Sequence, residues 1–401
     1  MARTALIALL AWALLVPAAS AGDREATQRV LETSMRQAGG ASGAYVVDLV
    51  TGEALFAEDA DVPRIPASVE KLYTSASALL RYGPEGTLRT GVLAGAAPDA
   101  AGVVAGDLYL RGGGDPSFGS KAAALLGDAL VDEIGITEVT GRVVGDESAF
   151  DGLRGPPSEG FRTSLEVGPL SALTFNRGFS GRRRPLFQSS PPRTAAAAFT
   201  RLLRRRGVRV RRAGRAGVTP ATAVELTTLN SPGVRRLITA MNVPSDNFIA
   251  ETLIKALGAA FGSAGSTAAG AAVIRSTVSQ LGVRTRVVDG SGLSRSNRTS
   301  PRAVVSLLTA MDESELAEPF LSSLPVAGRS GTLHDRMRSS AARDSCRAKT
   351  GTLSDVSALA GYCDTRGGGR VAFAFLMNHV WPSGARRLQD RMAAALARYS
   401  G

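Results

Sequence analysis

Lysine is nearly absent from this 401-residue chain. Of its 47 basic residues only four are lysine, at positions 71, 121, 255 and 349. Wherever a plain positive charge will do, the chain uses arginine. An arginine cannot release its proton inside a protein, so it cannot stand in for a lysine that must act as a base. Histidine is as scarce, with only His334 and His379; both lie outside the motifs below and read as surface or packing residues. Long apolar runs are missing too. The run Ala5 to Val16 is too short to cross a bilayer, so no integral membrane segment is expected. It follows Arg3 and precedes Ala19-Ser20-Ala21, the pattern of an export signal with a small-residue cleavage site. The mature chain is expected to start near Gly22 and to be exported, periplasmic or secreted. With no cysteine beside the cleavage site, a lipid anchor is not indicated.

Cysteine is limited to Cys346 and Cys363. In an exported protein an even pair reads as a disulfide, two free thiols being the alternative. Acidic residues are missing from one long stretch. Arg177 to Arg215 holds thirteen arginines and no acid, which can account for the whole net charge of +12. Neither aromatic interleaving nor a nucleic-acid fold motif accompanies it, so nucleic acid is not expected as a partner. An exported basic patch meets anionic wall polymers or a membrane surface instead; plain arginine-rich composition is the other reading.

What is present is concentrated in three short motifs. Pro66-Ala67-Ser68-Val69-Glu70-Lys71 runs into Leu72 to Leu79, a segment of good helix formers. With Ser68 opening that helix, Lys71 lies one turn on, over the same face. A desolvated, neutral lysine can take the proton of a serine and make it a nucleophile. The helix N-terminus adds N–H groups where an oxyanion can form. Alone this spacing is a weak signal. It gains weight from Ser245-Asp246-Asn247, and from Lys349-Thr350-Gly351-Thr352, where a second of the four lysines falls. Ser-x-x-Lys, Ser-Asp-Asn and Lys-Thr-Gly in that order are the signature of active-site-serine penicillin-binding proteins and serine β-lactamases.

Length and hydropathy complete the frame. A chain this long is expected to hold two or three domains, and a hydrophobic content of 44% with mean hydropathy +0.05 describes a globular protein. Residues 24–37 read as an amphipathic helix, followed by a hairpin around Thr51-Gly52. After Gly83 the texture changes to short strand-like runs broken by Gly112-Gly113-Gly114-Asp115-Pro116, taken as a structural turn. Residues 84–224 are therefore expected to be a β-rich insertion in a catalytic domain made of 22–83 and 225–401. A hairpin of 344–353 and 356–363 would set Cys346 opposite Cys363, clamping the strand that carries Lys349.

With these motifs the chain resembles the D-alanyl-D-alanine carboxypeptidase/endopeptidase family, the class C low-molecular-mass penicillin-binding proteins (serine peptidase S13). Further points of likeness are Gly112 to Pro116, Ala250-Glu251 after Ser-Asp-Asn, the loop Asp289-Gly290-Ser291-Gly292-Leu293-Ser294-Arg295, and Val356 to Tyr362. The resemblance implies an α/β fold of α+β type, a β-lactamase/transpeptidase-like domain with helices on both faces of a five-stranded antiparallel sheet. It implies that Ser68 attacks the carbonyl between two D-alanines of a peptidoglycan stem peptide, or a cross-link to D-alanine, and that Lys71 accepts its proton. Ser245 would relay a proton to the leaving amine and Asn247 would hydrogen-bond the substrate amide and Lys71. Lys349, Thr350 and Thr352 would hold the terminal carboxylate, with Gly351 between them, and the N–H groups of Ser68 and Thr352 would form the oxyanion hole. β-Lactams would acylate the same serine, and no metal or organic cofactor is needed.

Three rivals remain. A β-lactamase shares the motifs but lacks a long insertion between the first two, and class A enzymes need a deacylating glutamate that the stretch Thr252 to Asp312 does not contain. A D-aminopeptidase or esterase of the same fold is the second. A non-catalytic wall-binding or β-lactam-sensing protein is the third.

Overall fold

The computed structural model describes residues 18–180 and 186–401. The leader read over residues 1–21 thus lies mainly outside the described residues, as do Arg182 to Arg184 of the basic stretch.

The apolar run Arg370–Asn378 forms a strand buried along nearly its whole length. Such a strand must be covered on both faces and both edges. Val356–Asp364 pairs antiparallel along one edge and Ser42–Asp48 along the other, so the start of the chain is stitched to its end. Cys346–Leu353 and Ala54–Glu58 complete a five-stranded antiparallel sheet. The hairpin turns at Ser354-Asp355 and runs in register from Leu353 opposite Val356 to Cys346 opposite Cys363. Cys346 and Cys363 are joined by a disulfide.

Because side chains alternate across a strand, the sheet feeds two cores. Val46, Phe373, Phe375 and Met377 face the helices Ala18–Ala38 and Pro382–Arg398. Ala358, Ala360, Ala372, Ala374 and Leu376 face a larger helical layer. These small residues let the helices approach closely. At the centre of that layer Lys71–Tyr82 is buried over residues 71 to 79, lysine included. Beside it pack Val234–Asn242, Asn247–Phe261, Thr267–Ser279 and Pro301–Asp312. The last begins as its sequence suggests, with Ser300 Oγ accepting from Ala303 N (3.1 Å) ahead of Pro301.

A second five-stranded sheet occupies residues 89–230, in the order Val224–Asn230, Arg89–Ala94, Leu108–Gly112, Val143–Asp146, Arg215–Ala216. It is antiparallel at its first pairings and parallel at its last. The helices Ser120–Asp128 and Pro191–Arg205 cover it around Leu110, Phe118, Phe199 and Leu203. The glycine run is a packing feature of this region. A Cβ on Gly112 would lie 2.1 Å from Ala172 O, and one on Gly113 would lie 2.5 Å from Arg89 O. Asp115 then folds the turn by accepting from Ser117 N (2.8 Å) and Ser117 Oγ (2.6 Å). Two ion pairs tie this region to the helix of the Ser-Asp-Asn motif: Arg177 with Asp246 (2.6 Å), and buried Lys255 with Asp151. No helix among the described residues is long and apolar enough to cross a membrane.

Candidate active site

Ser68 sits in a tight 3₁₀ turn, Ala67–Glu70, that leads directly into Lys71–Tyr82. Two elements press on this turn, and each needs a glycine to do so. A Cβ on Gly351 would lie 2.6 Å from Pro66 O and 3.1 Å from Ser68 N, while one on Gly292 would lie 1.9 Å from Ala67 O. The Lys-Thr-Gly strand and the 289–295 loop therefore close on the serine from two sides. Ala67 (φ +46°) and Ser245 (φ +63°) are held in left-handed backbone conformations. Such positions cost about 1–3 kcal/mol each and persist where packing over-determines them.

Lys71 reaches Ser68 from below. Its Nζ donates to Ser68 Oγ (3.0 Å), Asn247 Oδ1 (2.7 Å) and Ser291 O (2.6 Å). Only one of those partners has a proton to give. Both the amide oxygen and the peptide carbonyl are pure acceptors, so once Lys71 is neutral its lone pair can be satisfied only by Ser68 O–H. The arrangement that fits the ammonium thus becomes, one proton later, a base aimed at the serine.

Burial supplies the drive to lose that proton. Lys71 is fully buried and its pKa is pushed down to about 8, chiefly by desolvation; the nearby carboxyls of Asp289 and Glu251 oppose the shift. These carboxyls are themselves buried. Glu251 Oε1 accepts from Gly290 N (3.1 Å) and Ser291 N (2.8 Å), which aims the Ser291 carbonyl at Lys71. Asp289 accepts from Gly292 N (2.8 Å), Ser294 N (2.6 Å) and Asn297 Nδ2 (2.7 Å), and Thr74 Oγ1 donates to Gly290 O (2.8 Å). Desolvation pushes the carboxyls of Glu251, Asp289 and Glu70 up. Neither oxygen of Glu70 has a hydrogen-bond partner among the described residues, as suits a carboxyl kept neutral.

The second motif forms the opposite wall. Asn242, at the end of the preceding helix, donates to Ser75 Oγ (2.8 Å) and Ser323 Oγ (3.0 Å), anchoring the turn that presents Ser245. Asp246 caps the next helix by accepting from Ile249 N (2.9 Å). Its neighbours then point to different lysines, Asn247 to Lys71 and Ser245 to Lys349. Lys349 Nζ donates to Ser245 Oγ (2.8 Å) and Thr350 O (3.0 Å). It too is fully buried, and desolvation, with Lys71 close by, holds it well below the usual lysine range.

Ser68, Lys71, Ser245, Asn247, Lys349, Thr350, Gly351 and Thr352 therefore meet at one place. A cavity of about 520 Å³ is lined by Ser68, Ser245, Asn247, Thr350, Thr352 and Arg386, among others. Lys71 and Lys349 lie beneath its floor and Gly351 behind the serine turn. Thr350 Oγ1 donates to Thr332 Oγ1 (2.8 Å) and Thr352 Oγ1 accepts from Arg386 Nη2 (3.1 Å). The disulfide joins the Lys349 strand to its neighbour. His334 and His379 are exposed and are not among the residues that line the cavity. Sequence reasoning missed the carboxyl group of Glu70, the role of Glu251 as an acceptor, Thr332 and Arg386. Glu251 was within reach, since it follows Asn247 by one helical turn; nothing local marks Arg386.

Comparison with known proteins gives the family and the fold. A D-alanyl-D-alanine carboxypeptidase of Actinomadura sp. (strain R39) is 31% identical, over 94% of this chain and 85% of its own. A carboxypeptidase of Mycobacterium tuberculosis is also 31% identical, over 88% of this chain and 79% of its own. Among solved structures, penicillin binding protein 4 of Haemophilus influenzae superposes with TM-score 0.78 at 21% identity, covering 92% of this chain and 99% of that one. A peptidoglycan endopeptidase of Bdellovibrio bacteriovorus superposes at 0.58 and 20% identity, over 84% and 86%. The D-Ala-D-Ala carboxypeptidase 3 (S13) family model matches residues 26–179 and 185–399, and it is to this family that the chain belongs.

Proposed function

We propose that this protein is an exported serine DD-peptidase that cleaves the bond following a D-alanine in peptidoglycan stem peptides or their cross-links, and that β-lactams acylate its nucleophile. The observation that carries the reading is the 3.0 Å contact between Lys71 Nζ and Ser68 Oγ, with two pure acceptors on the lysine's other sides. In this scheme neutral Lys71 takes the hydroxyl proton as Ser68 Oγ bonds to the scissile carbonyl carbon. The N–H groups of Ser68 and Thr352 hold the oxyanion. Ser245, bonded to Lys349, passes a proton to the leaving nitrogen as the C–N bond breaks. The leaving amine, D-alanine or the cross-linked residue, departs with a free amino group. Water then cleaves the Ser68 ester, and the D-alanine left on the stem gains a carboxylate. Thr350 and Thr352 meet the carboxylate on the leaving side, with Lys349 beneath them. Asn247 orients both the substrate amide and Lys71. Residues 84–224 form the insertion that borders this cleft.

The test is intact mass after incubation with benzylpenicillin, on wild type and Ser68→Ala, followed by D-alanine release from a synthetic stem pentapeptide. A stable adduct absent from Ser68→Ala, with D-alanine release, is the expected result. An adduct without release from pentapeptide or from a cross-linked dimer would leave a β-lactam-binding protein. Rapid loss of the adduct with opened drug would indicate a β-lactamase; Glu166, which lines the cavity 3.5 Å from Asn247 Nδ2, is the carboxylate such an enzyme would use.

A further inference from the structure

We propose that a second cavity, between residues 151–161 and the start of the Thr267–Ser279 helix, is a binding site for an amphiphile, taking its anionic head and the first part of its apolar chain. The cavity has a volume of about 620 Å³ and shares no lining residue with the catalytic one. Small-ligand sites have this size, with mostly apolar walls and a few fixed polar groups.

Charge is the first ground. The charged residues that line the cavity are Asp151, Arg275 and Arg286. Asp151 is compensated, since it pairs with buried Lys255 and also accepts from Leu153 N (3.1 Å). Neither arginine has an acidic partner within ion-pair distance among the described residues. Arg275 is held at the wall by donating from Nη1 to Val287 O (2.9 Å), which leaves its other donors open. Glu159 and Arg162 belong to the same segment but do not line the cavity. Two positive charges are thus left without a counter-charge. The Thr267–Ser279 helix also begins here, with Ser266 Oγ accepting from Ala269 N (3.1 Å) and the first N–H groups facing no helical acceptor. Thr267 lines the cavity and is 3% exposed, yet its hydroxyl has no partner among the described residues.

Shape is the second ground. Leu153 and Phe161 line the same cavity and are 42% and 39% exposed. Phe161 has φ +61°, a conformation bulky residues rarely adopt. It is fixed there by Phe161 N donating to Pro156 O and Arg154 N donating to Phe161 O, both at 3.1 Å. Glycine would take this φ without strain, so the strain is borne by a ring left half-open at the cavity. The facing wall is preformed. A Cβ on Gly270 would lie 1.8 Å from Ile254 O, so the Thr267–Ser279 helix is pressed hard against Asn247–Phe261. A bare anion would leave the apolar walls wet, and a neutral chain would leave both guanidiniums unanswered. An anionic head on an apolar chain satisfies both.

The experiment is isothermal titration calorimetry of the full chain with octyl phosphate, inorganic phosphate and octyl glucoside. Octyl phosphate is expected to bind one per chain, at least about 10-fold tighter than either of the others. Arg286→Gln and Phe161→Gly should each weaken it about 10-fold, the latter with its backbone conformation kept. Arg386→Gln, in the catalytic cavity, should leave it unchanged. No binding of octyl phosphate overturns the proposal, as does equal affinity for inorganic phosphate or binding untouched by both substitutions. Loss in Arg386→Gln but not in Arg286→Gln would place the ligand in the catalytic cavity and overturn it too. Sedimentation with vesicles of phosphatidylglycerol and phosphatidylcholine then separates the sources. Co-sedimentation that falls in the same two variants upholds the site and assigns it a bilayer lipid. Octyl phosphate binding without co-sedimentation upholds it and assigns a free amphiphile.

Discussion

The same charged side chains behave differently in two parts of this molecule. In the site Lys71 and Lys349 are 0% exposed, and around Lys71 three buried carboxyls are gathered. In the second-sheet region Arg209 and Arg211 are 76% and 65% exposed, and both pair with Glu138. The buried lysines donate to neutral oxygens, while the exposed arginines meet a carboxylate directly, and solvent is what divides the two places. Taken out of water, a charge costs so much that the group shifts its proton equilibrium instead, and the site converts that cost into a lysine that can be neutral. At the surface, water and salt screen the pairs, and each is worth little. Two of the four lysines are the buried ones of the motifs, where the proposed mechanism needs a proton to move, while the exposed pairs with Glu138 are made by arginine.

The sharpest way to break this contrast is Lys71→Arg. Charge is retained, but a guanidinium cannot accept the serine proton. Acylation by benzylpenicillin, followed by intact mass, should fall by about 10³-fold or more, toward the upper end of what a general base contributes. A variant acylating at the wild-type rate would sink the neutral-lysine argument.

The same argument fixes the sign of the pH dependence. In the proposed mechanism acylation needs Lys71 neutral, and burial pushes its pKa down to about 8, so the rate should rise with pH through that value. Two units lower, at pH 6, only about one site in a hundred is neutral, and the rate should be roughly a hundredfold below its plateau. A rate flat from pH 6 to 9 would mean that another group removes the proton.

A smaller effect is expected from the disulfide. Cys346 and Cys363, 17 positions apart in the chain, cap a hairpin already held by seven other aligned pairs. Breaking the bridge should cost about 2–4 kcal/mol through the freedom returned to the unfolded chain. Thermal melts with and without reductant measure it. Because strand pairing keeps Lys349 in place, activity below the melting transition should persist; loss of activity without loss of fold would show that the bridge positions the lysine directly.

The sequence was informative where function forces rare residues into fixed spacing. Ser68, Lys71, Ser245, Asn247 and Lys349 were legible because two of only four lysines fall in motifs. The hairpin with Cys346 opposite Cys363 was legible because a two-residue turn sets the register. The helices Ser120–Asp128 and Thr267–Ser279 were not singled out, being rich in alanine, glycine and serine with little apolar periodicity. Arg386 and Thr332 were illegible for another reason. Their contacts with Thr352 and Thr350 bridge 34 and 18 residues, and only the folded sheet brings them together.

The smallest effects should come from the arginines of the second-sheet region, and there additivity is the informative quantity. Glu138 is largely buried, and Arg211 Nε (2.7 Å) and Arg209 Nη2 (2.8 Å) meet its two oxygens separately. Their hydrogen bonds hold its carboxyl below the usual range. Arg209→Ala or Arg211→Ala alone leaves one guanidinium in place, and each should move the melting temperature by no more than about 2 °C. Removing both leaves a carboxylate in a half-closed site with no cation, so the double variant should lose more than the sum of the two. A strictly additive pair would mean that Glu138 is as well solvated as an ordinary surface acid. A single substitution costing as much as the disulfide would mean that exposure does not divide the two regions after all.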